Sequence, residues 1–402
     1  MESSRRGWLT QRRLTRAAQV ALLVFLPFWA FWFAQFVGLA GDGTAPNVDF
    51  IVYWTAAKIG AAGDAAVAYD ASAFEAKQTE AVGEDANGFP WVYPPVAFVL
   101  VMPLALLPYG AALAAWLVAS GAVFVSALRR LAQDRASFWL ALAFPATLFN
   151  LIIGQAGLLT AGLFAWAMLL LPARPVAAGA LLGLFAFKPH FLPLILLALL
   201  AGRELKALAA ATASGGTLVA ISLVAFGAGP WQEFLSQLTD STAMLYGDVF
   251  PVAKMQSVTA LVLALGGSDL ASQLVQGVTT LAAAVFVFWL WRHDAPFEYK
   301  AAGLGLASLL ATPYVYHYDL TLMGVALLFF ANRTREAGWQ LWERPLLAVA
   351  WFTPAVSFAL GLTVSFTIGA PVLLALVALL VRRVRSEDPV SRPETRPVPV
   401  AA

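Results

Sequence analysis

The side chains that could do chemistry in this sequence are few, and most stand in or beside long apolar runs: Asp49, Lys188, His190, His317 and Asp319. Ionisable groups at membrane depth are rare and costly, so each is a functional candidate by default. Asp49 opens a helical pattern. A carboxylate there could serve as a general base, and it could equally cap the helix by accepting from first-turn amides; the two roles are compatible. Lys188 lies between Phe187 and Pro189. A lysine that snorkels to the surface is ordinary, but Pro189 breaks the helix and His190 follows at once, and a cation pair at a break suits a phosphate. His317 belongs to the run Tyr316-His317-Tyr318-Asp319, after a break at Thr312-Pro313. Four polar side chains in a row between apolar segments favour a functional role over a histidine merely hydrogen-bonded in place. Gln155, in Gly154-Gln155-Ala156-Gly157, has the plainer option of satisfying backbone groups at a break. His293, in Trp291-Arg292-His293-Asp294, reads as an ordinary turn. The histidines are scattered, there is no Cys, and no H-E-x-x-H occurs, so neither a metal nor another cofactor is expected. The serine-nucleophile pattern G-x-S-x-G is also missing.

The elements that must position these residues follow from composition. The chain has 402 residues, is 60% hydrophobic and 12% charged, and has a mean hydropathy of +0.76. A soluble domain of this size cannot hide so much apolar surface, so lipid must be its solvent. About ten or eleven stretches approach the ~20 apolar residues a span requires. They lie close together, which implies one integral all-α domain over 1–381. No basic groove with interleaved aromatics suggests nucleic acid, and no dinucleotide or P-loop pattern occurs.

Charge then orients the chain. Arg5, Arg6, Arg12, Arg13 and Arg16 precede the first apolar run, Val20 to Ala40, which is too long for a signal-peptide core. It is expected to be a retained span with a cytoplasmic N-terminus. The loop 41–93 holds Asp42, Asp49, Asp64, Asp70, Glu75, Glu80, Glu84 and Asp85 against Lys58 and Lys77, as suits an outer loop. It contains amphipathic segments over Phe50–Gly60 and Ala71–Val82, both expected at the membrane interface. Trp54, Trp91, Tyr53 and Tyr93 are aromatics of the kind that anchor at that depth or stack on a sugar. Pro94 to Leu128 is long for one crossing and short for two. With the basic turns placed inside, Gly154-Gln155, Lys188-Pro189-His190, a second polar loop at 227–257 and the 312–319 run all fall on the outer side. The segment 382–402, which begins Arg382-Arg383-Val384-Arg385 and becomes Pro-rich, is expected to be a disordered cytoplasmic tail.

An ordered set of motifs now stands out: Val48-Asp49-Phe50-Ile51-Val52-Tyr53-Trp54, Tyr69-Asp70, Tyr93-Pro94-Pro95, Met102 to Pro108, Gly154-Gln155, Gly183 to Pro189 and Gln256-Ser257. From about Asp49 to Asp319 the chain resembles glycosyltransferase family 87, which includes polyprenol-phosphate-mannose-dependent mannosyltransferases of actinobacterial lipid synthesis. The resemblance implies a GT-C helix bundle, here of about 10–13 transmembrane helices, with an outer first loop bearing an acidic residue. It implies an inverting hexosyltransferase on the outer (periplasmic) face of a bacterial inner membrane, moving a sugar from a polyprenyl phosphate to a glycolipid or glycan. The family's first-loop carboxylate falls on Asp49, as general base, and its late histidine on His317. Lys188, His190 and His317 are then expected to hold the donor phosphate, and Tyr53, Tyr93, Gln155, Gln256 and Asp319 to bind substrate. The chemistry is coherent: a polyprenyl phosphate leaves readily, so one base suffices where hydrolases need two carboxylates.

Two rivals remain on the sequence alone. A transporter or flippase would explain broken helices and buried Lys and His, although no matched halves of the inverted-repeat kind are visible. An accessory membrane subunit would carry Asp49 without using it.

Overall fold

The computed structural model describes residues 11–36, 48–82, 88–246 and 252–387. The acidic residues Asp42, Glu84 and Asp85 lie outside that range. The chain is all-helical: among the described residues there is no strand, and extended chain pairs only in one isolated antiparallel bridge, Met255 with Tyr316. In lipid the backbone must close its own hydrogen bonds, and consecutive apolar runs do so as helices.

Among the described residues four helices are long and apolar enough to cross a membrane: Tyr109–Leu131, Leu205–Phe226, Asp269–Arg292 and Glu343–Val364. Protein covers less than half of each one's most apolar window, and the outward faces carry exposed Val118, Val224, Val278, Leu281, Phe288 and Phe352. Those are lipid-facing surfaces. Arg135–Leu142 and Pro145–Ile153 make a further apolar pair bent by 44°. The remaining apolar pieces are short: Val96–Leu106, Gly157–Leu170, Pro175–Phe187 and Pro189–Ala201. The architecture is thus a polytopic membrane helix bundle, with four or five elements among the described residues that qualify as full crossings by length and composition. Pro and Gly at the breaks account for the shorter pieces, since they interrupt apolar runs. The ambiguous stretch after Pro94 resolves into a short helix Val96–Val101, a 3₁₀ turn Met102–Leu106 and one full crossing, Tyr109–Leu131.

Three local expectations need correction. The Ile51–Ala61 helix packs in protein rather than laying an apolar face on lipid; Ile51, Val52, Tyr53, Thr55, Ala56, Ala57, Ile59 and Gly60 are all buried. For the same reason Tyr53 and Trp91, at 2% and 1% exposure, are not belt anchors. The interval 227–257 is not simply a loop, because Gly229–Tyr246 is helical. Phe234 on that helix packs on Tyr69, and the Gln237 amide donates to the Tyr69 carbonyl at 3.1 Å, so the helix leans on the first loop. Finally, the last helix runs Gly369–Glu387. Arg382 to Glu387 are therefore helical rather than disordered, and 388–402 lie outside the described residues. Ala71–Val82, by contrast, is a helix with the expected bounds that buries Phe74, Gln78 and Val82 and exposes its other face.

Several charges pair with one another around Arg383 and Arg335. Arg383, 1% exposed, meets Glu387 at 2.7 Å, Glu343 at 3.4 Å and the Gly338 carbonyl at 2.9 Å. Tyr299 and Arg333 also donate to Glu387, at 2.8 and 3.0 Å, and Arg335 pairs with Asp134. The polar breaks meet elsewhere.

Candidate active site

The site is assembled by backbone contacts between breaks. Helix Pro145–Ile153 ends at Gly154, whose φ of +70° is a left-handed conformation suited to glycine. A β-carbon on Gly154 would stand 2.6 Å from the Phe50 β-carbon, so the first loop approaches as only glycine permits. Phe50 N–H donates to the Ile153 carbonyl at 3.0 Å, and Trp116 Nε1 donates to the Gly154 carbonyl at 2.9 Å. These bonds set Asp49 beside Gln155.

Asp49 is partly buried and is not a helix cap: the cap position is Phe50, without a side-chain bond. Asp49 Oδ2 instead accepts from Gln155 Nε2 at 3.1 Å. The Gln155 carbonyl oxygen accepts from Tyr53 at 2.6 Å and from Tyr93 at 3.4 Å, and the two tyrosine oxygens are 2.6 Å apart. Burial pushes the Asp49 carboxyl above its ordinary value, and the Gln155 bond and then the Lys254 charge act in the opposite direction. Gln155 therefore does more than mend a turn.

A cavity of about 160 Å³ adjoins this network through Tyr93. Lys188, Pro189, His190, Tyr316, Tyr318 and Asp319 form its polar wall, and Phe234, Gln237 and Leu238 come from the Gly229–Tyr246 helix. Lys188 Nζ donates to Asp319 Oδ1 at 2.7 Å, both side chains being nearly inaccessible, and stands 5.3 Å from the Tyr318 ring centre. Asp319 Oδ2 accepts from Tyr316 N–H at 3.1 Å. The rings of Tyr316 and Tyr318 stack at 5.6 Å, and the Tyr316 hydroxyl is buried without a hydrogen-bond partner among the described residues. His190 packs edge-on against Tyr314 at 5.5 Å.

The expected residues thus separate into three groups. Asp49, Gln155, Tyr53 and Tyr93 form one network, and Lys188, His190 and Asp319 line the cavity that Tyr93 also reaches. His317 and Gln256 stand apart. His317 Nε2 is 3.0 Å from Gln256 Nε2, and the ring lies between Phe149 and Phe358. Since the amide can only donate, Nε2 accepts, and the proton on Nδ1 faces the Ser357 backbone. Burial holds the imidazole down to about 4, and His317 does not line the cavity that Lys188 and His190 reach. Gln256 likewise bonds Thr367 at 3.0 Å and the Val315 carbonyl at 2.6 Å through its backbone. Both residues brace the 312–320 break. Among the described residues no group of His, Asp and Glu could hold a metal ion.

Sequence reasoning missed Asn150. Its Nδ2 donates to the Tyr318 carbonyl at 2.9 Å and to Thr321 Oγ1 at 2.8 Å, while its Oδ1 accepts from Gly157 N–H at 2.8 Å. It ties the Gln155 break to the Asp319 break. An Asn one turn before a helix-ending Gly in an apolar run was the available signal.

Residues 91–313 match the family model described as glycosyltransferase family 87. That is more than half of the chain, so the chain belongs to this family. No curated protein and no solved structure matches it.

Proposed function

As a member of glycosyltransferase family 87 with membrane-crossing helices, the protein is a membrane glycosyltransferase, and we propose that it moves mannose from a polyprenyl phosphate to a hydroxyl of a glycolipid or glycan. In this reading the site faces the outer side of a bacterial inner membrane, where nucleotide sugars are absent and a lipid-carried donor is needed. Asp49 takes the proton of the acceptor hydroxyl. The acceptor oxygen forms a bond to C1 from the face opposite the phosphate, and the C1–O bond breaks with its electron pair going to the phosphate oxygen. The anomeric centre inverts. The phosphate leaves as an anion, so no general acid or metal is required.

The observation that carries this reading is the Asp49 carboxylate, left unused by helix capping and held by Gln155 beside a tyrosine-lined cavity. The cavity wall supports the donor assignment. An ammonium has three protons, and Lys188 gives one to Asp319, leaving others for a phosphate. Fixed donors of that kind stabilise the charge that develops as the phosphate departs. Tyr316, with its unpartnered hydroxyl, and the stacked Tyr318 ring suit a sugar, and Phe234 and half-exposed Leu238 provide an apolar lip for the prenyl chain.

The test uses purified protein in nanodiscs with radiolabelled polyprenyl-phosphate-mannose and membrane lipid extract, comparing wild type with Asp49→Asn. Label should pass to a new product with wild type only, with a loss of at least about a thousandfold in the variant. Wild-type turnover by Asp49→Asn would overturn the assignment of the base.

A further inference from the structure

A glutamine side chain has an acceptor end and a donor end of almost the same shape. Which end faces a carboxylate matters greatly, since an amide NH₂ stabilises the anion and an amide oxygen repels it. At Gln155 the choice is made by neighbours. Tyr53 donates its hydroxyl proton to Oε1 at 2.6 Å, and Tyr93 reaches the same oxygen at 3.4 Å. The Ala156 N–H also points to it, at 3.4 Å. A tyrosine hydroxyl can accept as well as donate, but both tyrosines are held so that one proton goes to the amide oxygen while their own oxygens share another across 2.6 Å. Oε1 is therefore turned toward the tyrosines and Nε2 toward Asp49 Oδ2.

We propose that Tyr53 and Tyr93 lock the orientation of the Gln155 amide, and that Gln155 thereby positions the Asp49 carboxylate, holding Oδ2 and leaving Oδ1 to receive the acceptor's proton. Gln155, Tyr53 and Tyr93 act as positioning residues for the base rather than as substrate ligands. The inference rests on Asp49 being the base for its catalytic meaning, but not for its measurement. The other charged or titratable groups that act on Asp49 are Lys254, which favours its anion, and Tyr53, Tyr93, Tyr109 and Tyr316, all neutral near pH 7. Lys254 comes from the turn at Val252–Lys254 and is independent of the lock.

A hydrogen bond to an ionised group is strong enough that its loss should move the Asp49 titration by about one pH unit. The experiment reads that titration without substrate. Dicyclohexylcarbodiimide reacts with protonated carboxyl groups in apolar surroundings, and peptide mass spectrometry reports the fraction modified at Asp49. Intact protein in nanodiscs would be labelled across pH 4–9 as wild type, Gln155→Leu, Tyr53→Phe, Tyr93→Phe and Tyr53→Phe/Tyr93→Phe, with Asp49→Asn as the unlabelled control. Each variant is first required to elute and melt as wild type does. The midpoint of labelling should rise by about one unit in Gln155→Leu. The double tyrosine variant should rise comparably although neither tyrosine directly bonds Asp49, because the freed amide can present its oxygen. Single tyrosine variants should fall between. An unmoved midpoint in the double variant overturns the lock, whatever the transfer assay shows. If instead Asp49→Asn transfers sugar normally while the midpoints shift as expected, the lock stands and the base assignment falls.

Discussion

Two polar clusters interrupt this apolar bundle, and they differ in how their charges are paired and in whether they line the cavity. Around Arg383, each charge meets an opposite one: Glu343 and Glu387 share the guanidinium, and Tyr299 and Arg333 take up what Glu387 has left. None of these side chains lines the 160 Å³ cavity. Around Asp49, the carboxylate has one side-chain donor, the Tyr316 hydroxyl has no partner among the described residues, and Lys188 has protons to spare. Buried polar groups are costly unless satisfied. A cluster whose charges pair with one another away from the cavity is a brace between helices Phe297–Leu310, Thr321–Ala337, Glu343–Val364 and Gly369–Glu387. One that leaves valences open beside a cavity is prepared for a ligand.

The largest effect that separates the two is on stability. Arg383→Met strands Glu343, which is fully buried, and should cost about 3–5 kcal/mol. Thermal unfolding in detergent should show a clear drop in midpoint, with donor KM unchanged in the fraction that remains folded. Asp49→Asn should show the converse, a dead enzyme with a wild-type midpoint. An Arg383→Met protein that melts normally and loses donor affinity would reverse the roles of the clusters.

Lys188 and Asp319 sharpen the comparison because they resemble both kinds. Their bond is as short as that of Arg383 to Glu387 and both partners are buried, yet both side chains line the cavity. Lys188→Met alone should destabilise the fold, because Asp319 is left charged and unpaired, and should raise donor KM roughly tenfold. The double variant Lys188→Met/Asp319→Leu removes both charges and should recover the melting midpoint without recovering KM. Recovery of both would make the pair a brace like Arg383.

This difference also explains what could be read from the chain beforehand. Residue types at helix breaks pointed to Asp49, Gln155, Lys188 and Asp319, because an ionisable or amide side chain in an apolar run has few innocent explanations. The all-helical bundle followed from apolar length. The places where helices break inside apolar stretches, at Pro145, Gly154 and Pro189, did not, since only packing reveals how such stretches divide. The helix at Gly229–Tyr246 had a signal, with Trp231, Phe234, Leu235 and Leu238 at helical spacing, but the polar residues between them suggested a loop. His317 lies apart from the other expected residues for a physical reason. A histidine flanked by tyrosines and an aspartate looks like a site, but neighbours in sequence on an irregular turn point in different directions. Asp319 thus faces the cavity while His317 faces Gln256. The Arg383 cluster hid in what read as a basic, disordered tail.

The smallest effect is a shift in pH dependence, and it belongs to one cluster alone. Burial raises the Asp49 carboxyl above its ordinary range, more than the Gln155 bond and the Lys254 charge restore it. A general base works when deprotonated, so kcat/KM should be constant above the raised value and fall tenfold per unit as pH drops through it. That acid limb should lie above the value of about 4 ordinary for an aspartate. The Arg383 cluster has no part in proton transfer, so a conservative change there, such as Arg383→Lys, should leave the limb in place even where it lowers the melting midpoint. The measurement is kcat/KM against pH in nanodiscs at constant ionic strength. A limb at the ordinary aspartate value would mean that Asp49 is well solvated in the working enzyme, and a limb displaced by Arg383→Lys would tie the two clusters together.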